Sequence, residues 1–156
     1  MHPEVSRQRF QEHVKRIAGN PDLLLDRGLL VLTSSCPVLT LAARHRATGK
    51  LRVFRFSFDD WDDLPPSLVL IDAETAQELP GGLWPTDNQS HWHPSGWTSA
   101  AGISTPQPFM CMAGIREYHT HNSHVSDSWE NYKNQSAFDL PGIVIQVTEV
   151  FQKSNV

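Results

Sequence analysis

A chain of 156 residues with 39% hydrophobic and 19% charged side chains has the size and composition of one globular domain, so residues 1–156 are read as a single unit. Its formal net charge of -4 gives no electrostatic ground for binding nucleic acid or an anionic membrane surface. Residues 1–10 are polar, no apolar run nears membrane-spanning length, and Cys36 and Cys111 make no disulfide framework; the cytoplasm is therefore the expected compartment and each cysteine is read as a thiol.

The first element is helical, because Phe10, Val14 and Ile17 fall at i, i+4 and i+7 and Gly19, Asn20 and Pro21 supply a stop. Its other face carries Arg7, Arg9, Lys15 and Arg16, either as a solvated surface or as a docking face for an acidic partner. Residues 23–72 read as a four-stranded antiparallel meander built from "LLLDRGLLVLTSS", "PVLTLAARH", "KLRVFRFSF" and "SLVLID". Phe54, Phe56 and Phe58 share one face, Val53, Arg55 and Ser57 the other, and "ATGK" supplies a hairpin turn. Cys36, before a proline, reads as a small, partly buried side chain. Residues 72–136 lack periodicity yet hold four of the five tryptophans and five of the eight histidines, which makes this segment the place to seek function. Trp61, Trp84, Trp92, Trp97 and Trp129 are read as packing anchors beneath it. The closing segment "LPGIVIQVTEVFQK" is ambiguous by periodicity alone: its β-branched residues would suit a strand, but Leu140, Val144, Val147 and Phe151 fit one helical stripe behind Asp139 and Pro141, and helix is the reading adopted. The expected fold is α+β: a four-stranded antiparallel meander with flanking N- and C-terminal helices.

The stretch "FMCMAGIREYHTHNSH", residues 109–124, concentrates the reactive groups. If residues 117–121 are extended, Glu117, His119 and His121 share one face at spacings of roughly 6–7 Å. Cys111 has the same parity, but a straight strand would hold it about 20 Å away from Glu117, so the chain must fold back at Gly114. Cys111, Glu117, His119 and His121 are then acceptable zinc ligands, with His124 able to replace His121. The same residues also suit nucleophilic chemistry: a Cys111 thiolate tuned by His119 or His121, with Glu117 orienting an imidazole or helping to deprotonate an amine. The third reading is a buried cysteine among solvated histidines. Ser104, Ser123, Ser126 and Ser128 are hydroxyl alternatives, and serine is the weaker nucleophile without a dedicated base.

The order of elements and motifs carries a family resemblance. An N-terminal helix, a meander, "FSFDDWDDLPPSLVLID" with its double proline, "HWHPSG" with its His-Pro, "FMCM", then "SWENY" ahead of a closing helix resembles the ubiquitin-conjugating enzymes, whose sequence runs through Pro-Pro, His-Pro-Asn, the catalytic cysteine and Trp-Ser-Pro. Ser95 stands where that family has its asparagine, and Glu130 and Asn131 where it has Ser-Pro. Cys111, Glu117, His119 and His121 also resemble the Cys…Glu…His…His order of a predicted metal-binding domain encoded in bacterial operons beside ubiquitin-like proteins. The resemblances imply a bacterial carrier, of the kind found in antiphage defence, that accepts the C-terminus of a ubiquitin-like protein on Cys111 from an activating enzyme. It would pass that C-terminus to a target protein without a cofactor. The alternatives they leave open are a zinc-binding accessory or ligase-like factor of the same pathway and a non-catalytic binding module.

Overall fold

His2 caps the first helix through Nδ1, which accepts from the Glu4 amide at 3.3 Å, and Pro3 occupies the first turn, where its missing N–H costs nothing. The computed structural model describes residues 1–98, 102, 104–121, 124 and 126–156. Helix α1 (Pro3–Ala18) buries Phe10, Val14 and Ile17 as their spacing predicts. Three of its four basic residues pair with acids: Arg9 with Asp62 at 2.7 Å, Arg16 with Asp139 at 2.9 Å and Arg7 with Glu4 at 3.5 Å.

Residues 23–26 depart from the expected strand and form helix α2 (Pro21–Asp26). Pro21 favours a helical first turn, and Gly28 then separates helix from strand. Its φ of +76° is left-handed, and a Cβ there would stand 2.7 Å from the Arg44 carbonyl oxygen. Only glycine lets the chain turn so tightly against the neighbouring strand.

The sheet follows in chain order, β1 (Leu29–Ser35), β2 (Val38–Arg44), β3 (Leu51–Ser57) and β4 (Ser67–Ile71), each antiparallel to the next. Leu41 opposes Phe54 and Phe54 opposes Leu70, while Leu39, Phe56 and Leu68 form the next row. All six are inaccessible to solvent or nearly so, as is Phe58, so one face of the meander is packed as the alternation predicts. Each such side chain contributes on the order of 1.5–3 kcal/mol through burial. The turn 47–50 closes as a hairpin, with the Gly49 amide donating to the His45 carbonyl at 2.7 Å.

The covering helix α4 (Leu140–Gln152) is capped by Asp139, which accepts from the Gly142 amide at 2.8 Å. Leu140, Ile143, Val144, Val147 and Phe151 point into the core, and Phe151 meets Phe54 edge-on at 5.3 Å. The chain is thus α+β, with a four-stranded antiparallel sheet and N- and C-terminal helices. Among the described residues no helix is long and apolar enough to cross a membrane.

Between β4 and α4 the chain forms short ladders: β5 (Trp92–His93) pairs with β8 (Phe109–Met110), and β6 (Trp97–Thr98) with β7 (Ser104–Thr105). One short helix, α3 (Arg116–Thr120), follows. Four tryptophans anchor this part and find partners for their indole N–H groups. Trp61 donates to His13 Nδ1, Trp84 to the Leu79 carbonyl, Trp92 to Ser154 Oγ and Trp129 to the Asp62 carbonyl, at 2.8–3.2 Å. Trp97 is half-buried, with its ring 3.9 Å from that of His121.

Candidate functional site

Strand β8 delivers Cys111 to the site. The Cys111 amide donates to the His91 carbonyl at 2.6 Å, which extends the β5–β8 pairing by one bond. Beyond it, Gly114 adopts a φ of +92°, and the fully buried Ile115 ties the start of α3 to the core. The fold-back required at Gly114 is therefore present. The extended conformation considered for 117–121 is not, because α3 is helical from Arg116 to Thr120. Residues two apart on a helix diverge by about 200°, so Glu117 and His119 face different surroundings.

Glu117 lies against β4. Its Oε1 accepts from the Ser67 hydroxyl, and Oε2 is buried with no hydrogen-bond partner. Burial pushes the carboxyl above its ordinary range, with the Ser67 hydrogen bond pulling the other way. His119 is bonded on both nitrogens: Nε2 accepts from the Gly114 amide at 3.0 Å and Nδ1 donates to the Asp127 carbonyl at 2.9 Å. Those two bonds define a neutral ring protonated on Nδ1, and burial accordingly holds its pKa below the usual histidine value. The imidazole fastens the Gly114 turn to the 127 region.

The group that reaches the thiol is His124, whose Nε2 is 3.6 Å from Cys111 Sγ. Its ring stacks on Tyr118 at 4.0 Å and 20°. Tyr118 is held in turn by Asp127, whose Oδ2 accepts hydroxyl hydrogen bonds from Tyr118 at 2.5 Å and Tyr132 at 2.7 Å. These bonds hold the Asp127 carboxyl below the ordinary carboxylate range and push the Tyr118 hydroxyl well above its own. His121 lies between Trp97 and Phe109, its ring 5.9 Å from that of His124, and burial lowers its pKa. His93 stacks flat on Phe109 at 4.6 Å.

Cys111, His121, His124, His93, Trp97 and Tyr118 line one open cavity of about 440 Å³. Of the four residues singled out from sequence, Cys111 and His121 meet there, whereas Glu117 and His119 are not in its lining. Burial pushes the Cys111 thiol up, so the sulfur is protonated near neutrality and needs a base to become nucleophilic. His124 Nε2 is the nitrogen in position to serve. The hydroxyl alternatives lie elsewhere: Ser104 is an exposed residue of β7, Ser126 is exposed, and Ser128 caps a turn by accepting from the Glu130 amide. Ser123 lies outside the described residues. Cys36 is half-buried against the core, its thiol also raised by burial.

The donor set does not fit zinc as first read. One Glu117 oxygen is taken by Ser67 on the β4 side, and both His119 nitrogens are engaged. Among the described residues no group of three or more His, Cys, Asp or Glu side chains stands close enough to hold a metal ion.

Five contributors carried little or no signal of their own in the sequence: Tyr118, Asp127, Trp97 and the pair Asp87–His91. In that pair His91 donates twice to one carboxylate, through its backbone N–H at 3.0 Å and Nδ1 at 2.6 Å. The doubled histidines of "HWHP" hinted at His91; the rest come together only through loop closure.

Comparison with known proteins adds likeness without an assigned activity. The sequence model of the Y4jH family, Y4jH-like, matches residues 99–149, a span that includes Cys111, the histidine cluster and most of α4. The chain is 28% identical over 152 residues to the uncharacterized protein y4jH of Sinorhizobium fredii, covering 81% of this chain and 72% of that one. It is also 25% identical over 136 residues to an anamorsin homolog of Schistosoma japonicum, covering 84% of this chain but only 39% of that protein. The matched stretch thus supplies Cys111, Tyr118, His121 and His124 to the cavity, whereas His91, His93 and Trp97 lie before it.

Proposed function

We propose that this chain is a carrier in a bacterial ubiquitin-like conjugation pathway, accepting the C-terminus of a ubiquitin-like protein on Cys111 as a thioester and passing it to an amine of a target protein. The observation that carries this reading is Cys111 Sγ in an open cavity, 3.6 Å from His124 Nε2. A cysteine with an imidazole at that distance, the imidazole itself oriented by a third group, has the arrangement of an activated nucleophile. The Asp127–Tyr118 pair supplies that orientation by fixing the ring on which His124 stacks. The resemblance to conjugating enzymes is supported by the succession α1, meander, Pro65–Pro66 between β3 and β4, the cysteine after β8, Trp129 and a closing helix.

In the first step His124 Nε2 takes the thiol proton as sulfur attacks the activated C-terminal carbonyl carbon, and the leaving thiol departs with a proton. In the second, the amine nitrogen attacks the thioester carbonyl, the C–S bond breaks and the sulfur is reprotonated. The activating enzyme, the ubiquitin-like protein and the target are the partners this chemistry requires, and the cytoplasm is where ATP-driven activation would supply it.

The test combines the chain with a ubiquitin-like protein, its charged activating enzyme and ATP, followed by a non-reducing gel. The expected product is an adduct that reductant abolishes and Cys111→Ala prevents. An adduct resistant to reductant but cleaved by base would move the nucleophile to a serine, and no adduct from a charged activating enzyme would leave a binding module.

A further inference from the structure

The cavity that holds Cys111 has a neighbour. A second cavity of about 400 Å³ lies between the 87–91 loop and α4, and His91, Met112 and Gln89 line both. The two cavities are chemically unlike. The first is walled by Trp97, Phe109 and histidines, a surface suited to an uncharged extended chain and its carbonyl. The second is lined by Asp87, Gln146, Glu149 and Lys153, so two carboxylates against one ammonium give its lining one net negative charge.

His91 connects them. Asp87 holds its ring from below: Oδ1 accepts from the His91 backbone amide at 3.0 Å and Oδ2 from Nδ1–H at 2.6 Å. The Asp87 side chain is only 9% exposed, which keeps that geometry out of competition with water. With the Nδ1 proton committed to the carboxylate, Nε2 carries the lone pair. The His91 carbonyl accepts the Cys111 amide, so the backbone of the base and the backbone of the nucleophile are joined by one hydrogen bond.

We propose that this second cavity receives the acceptor amine, a lysine side chain of the target, and that His91, oriented by Asp87, is the base that removes its proton. The assignment rests on the carrier reading given above. The amine arrives as an ammonium, drawn by Asp87 and Glu149, and surrenders one proton to His91 Nε2, which releases it to water in the cavity. The neutral nitrogen then attacks the thioester carbonyl carbon on Cys111. A C–N bond forms, the C–S bond breaks with its electron pair returning to sulfur, and the second nitrogen proton ends on that sulfur through His124. The division of labour is physical: His124 serves the thiol, His91 the amine.

The experiment needs no unidentified partner. Cys111 is acylated with a short peptide thioester ending in Gly-Gly, the adduct is followed by intact-protein mass spectrometry, and its discharge is timed with free lysine and separately with hydroxylamine. Hydroxylamine is uncharged at pH 7.5 and needs no base, so it measures the intrinsic reactivity of the thioester. His91→Gln is expected to acylate normally, to discharge to hydroxylamine at the wild-type rate, and to discharge to lysine about 100-fold more slowly, the usual scale for losing a general base. Asp87→Asn keeps an oxygen for the loop amide but presents an N–H to Nδ1, which forces the proton onto Nε2; lysine discharge should fall with hydroxylamine discharge unchanged. Unaltered lysine discharge in both variants overturns the assignment, and so does a parallel loss of both nucleophiles, which would mean collapse of the cavity. Failure of the wild type to acylate at Cys111 overturns the carrier reading itself and this inference with it.

Discussion

His119→Ala separates a structural histidine from a ligand or a catalyst. The imidazole makes two hydrogen bonds, to the Gly114 amide at 3.0 Å and the Asp127 carbonyl at 2.9 Å, and its ring contacts Tyr118, Trp129 and Tyr132. Two net hydrogen bonds are worth about 1 kcal/mol each, and leaving the buried Gly114 amide unsatisfied adds about 1–3 kcal/mol. The lower end of that sum, about 3 kcal/mol, is already a large share of an ordinary domain's stability. With an m-value of about 2 kcal/mol/M, the urea midpoint should fall by about 1.5 M. Because burial lowers the pKa of His119, its contribution is complete above the unfolded value of about 6.5 and is lost as pH falls from there through the folded value. The gap between wild type and variant should therefore narrow below pH 6.5. Chelator should change neither protein. A loss under 1 kcal/mol, or a wild type that chelator destabilises to the level of the variant, would refute the hydrogen-bonded role.

Glu117→Gln should stabilise the fold at neutral pH: burial raises the folded pKa, so the wild-type contribution is intact in acid and lost as pH rises through that value. The gain should shrink on acidification, and thermal melts at pH 5 and pH 8 measure it. Alkylation of Cys111 by iodoacetamide should accelerate well into the alkaline range with no plateau at neutrality, because burial holds the thiol protonated; a rate already maximal at pH 7 would contradict this. Gly28→Ala should cost more than about 1 kcal/mol in urea unfolding, since it combines a left-handed φ with a Cβ 2.7 Å from the Arg44 carbonyl oxygen.

Much of the scaffold is legible in the sequence because it is written in local periodicity. The spacing of Phe10, Val14 and Ile17, the alternation of Phe54, Phe56 and Phe58, and the stripe from Leu140 to Phe151 each state which face is buried, and all of them are buried. The run "LLLDRGLL" reads as strand in the sequence, yet three leucines in a row fit either period, and Pro21 and the left-handed Gly28 make it helix, turn and strand instead. The site is different in kind. Parity along an assumed strand grouped Glu117, His119 and His121, but α3 turns Glu117 to Ser67 and His119 to Gly114, two partners that only the folded chain supplies. The cavity joins residues 91–97 to residues 109–124 through the two-residue ladder β5–β8, and so short a pairing leaves no periodic trace. Composition and spacing alone marked Cys111 and its histidines as the candidate site. Which histidine meets the sulfur was decided by loop closure, with Gly114 folding the chain back and Asp127 drawing in two tyrosines, one of them the ring against which His124 lies.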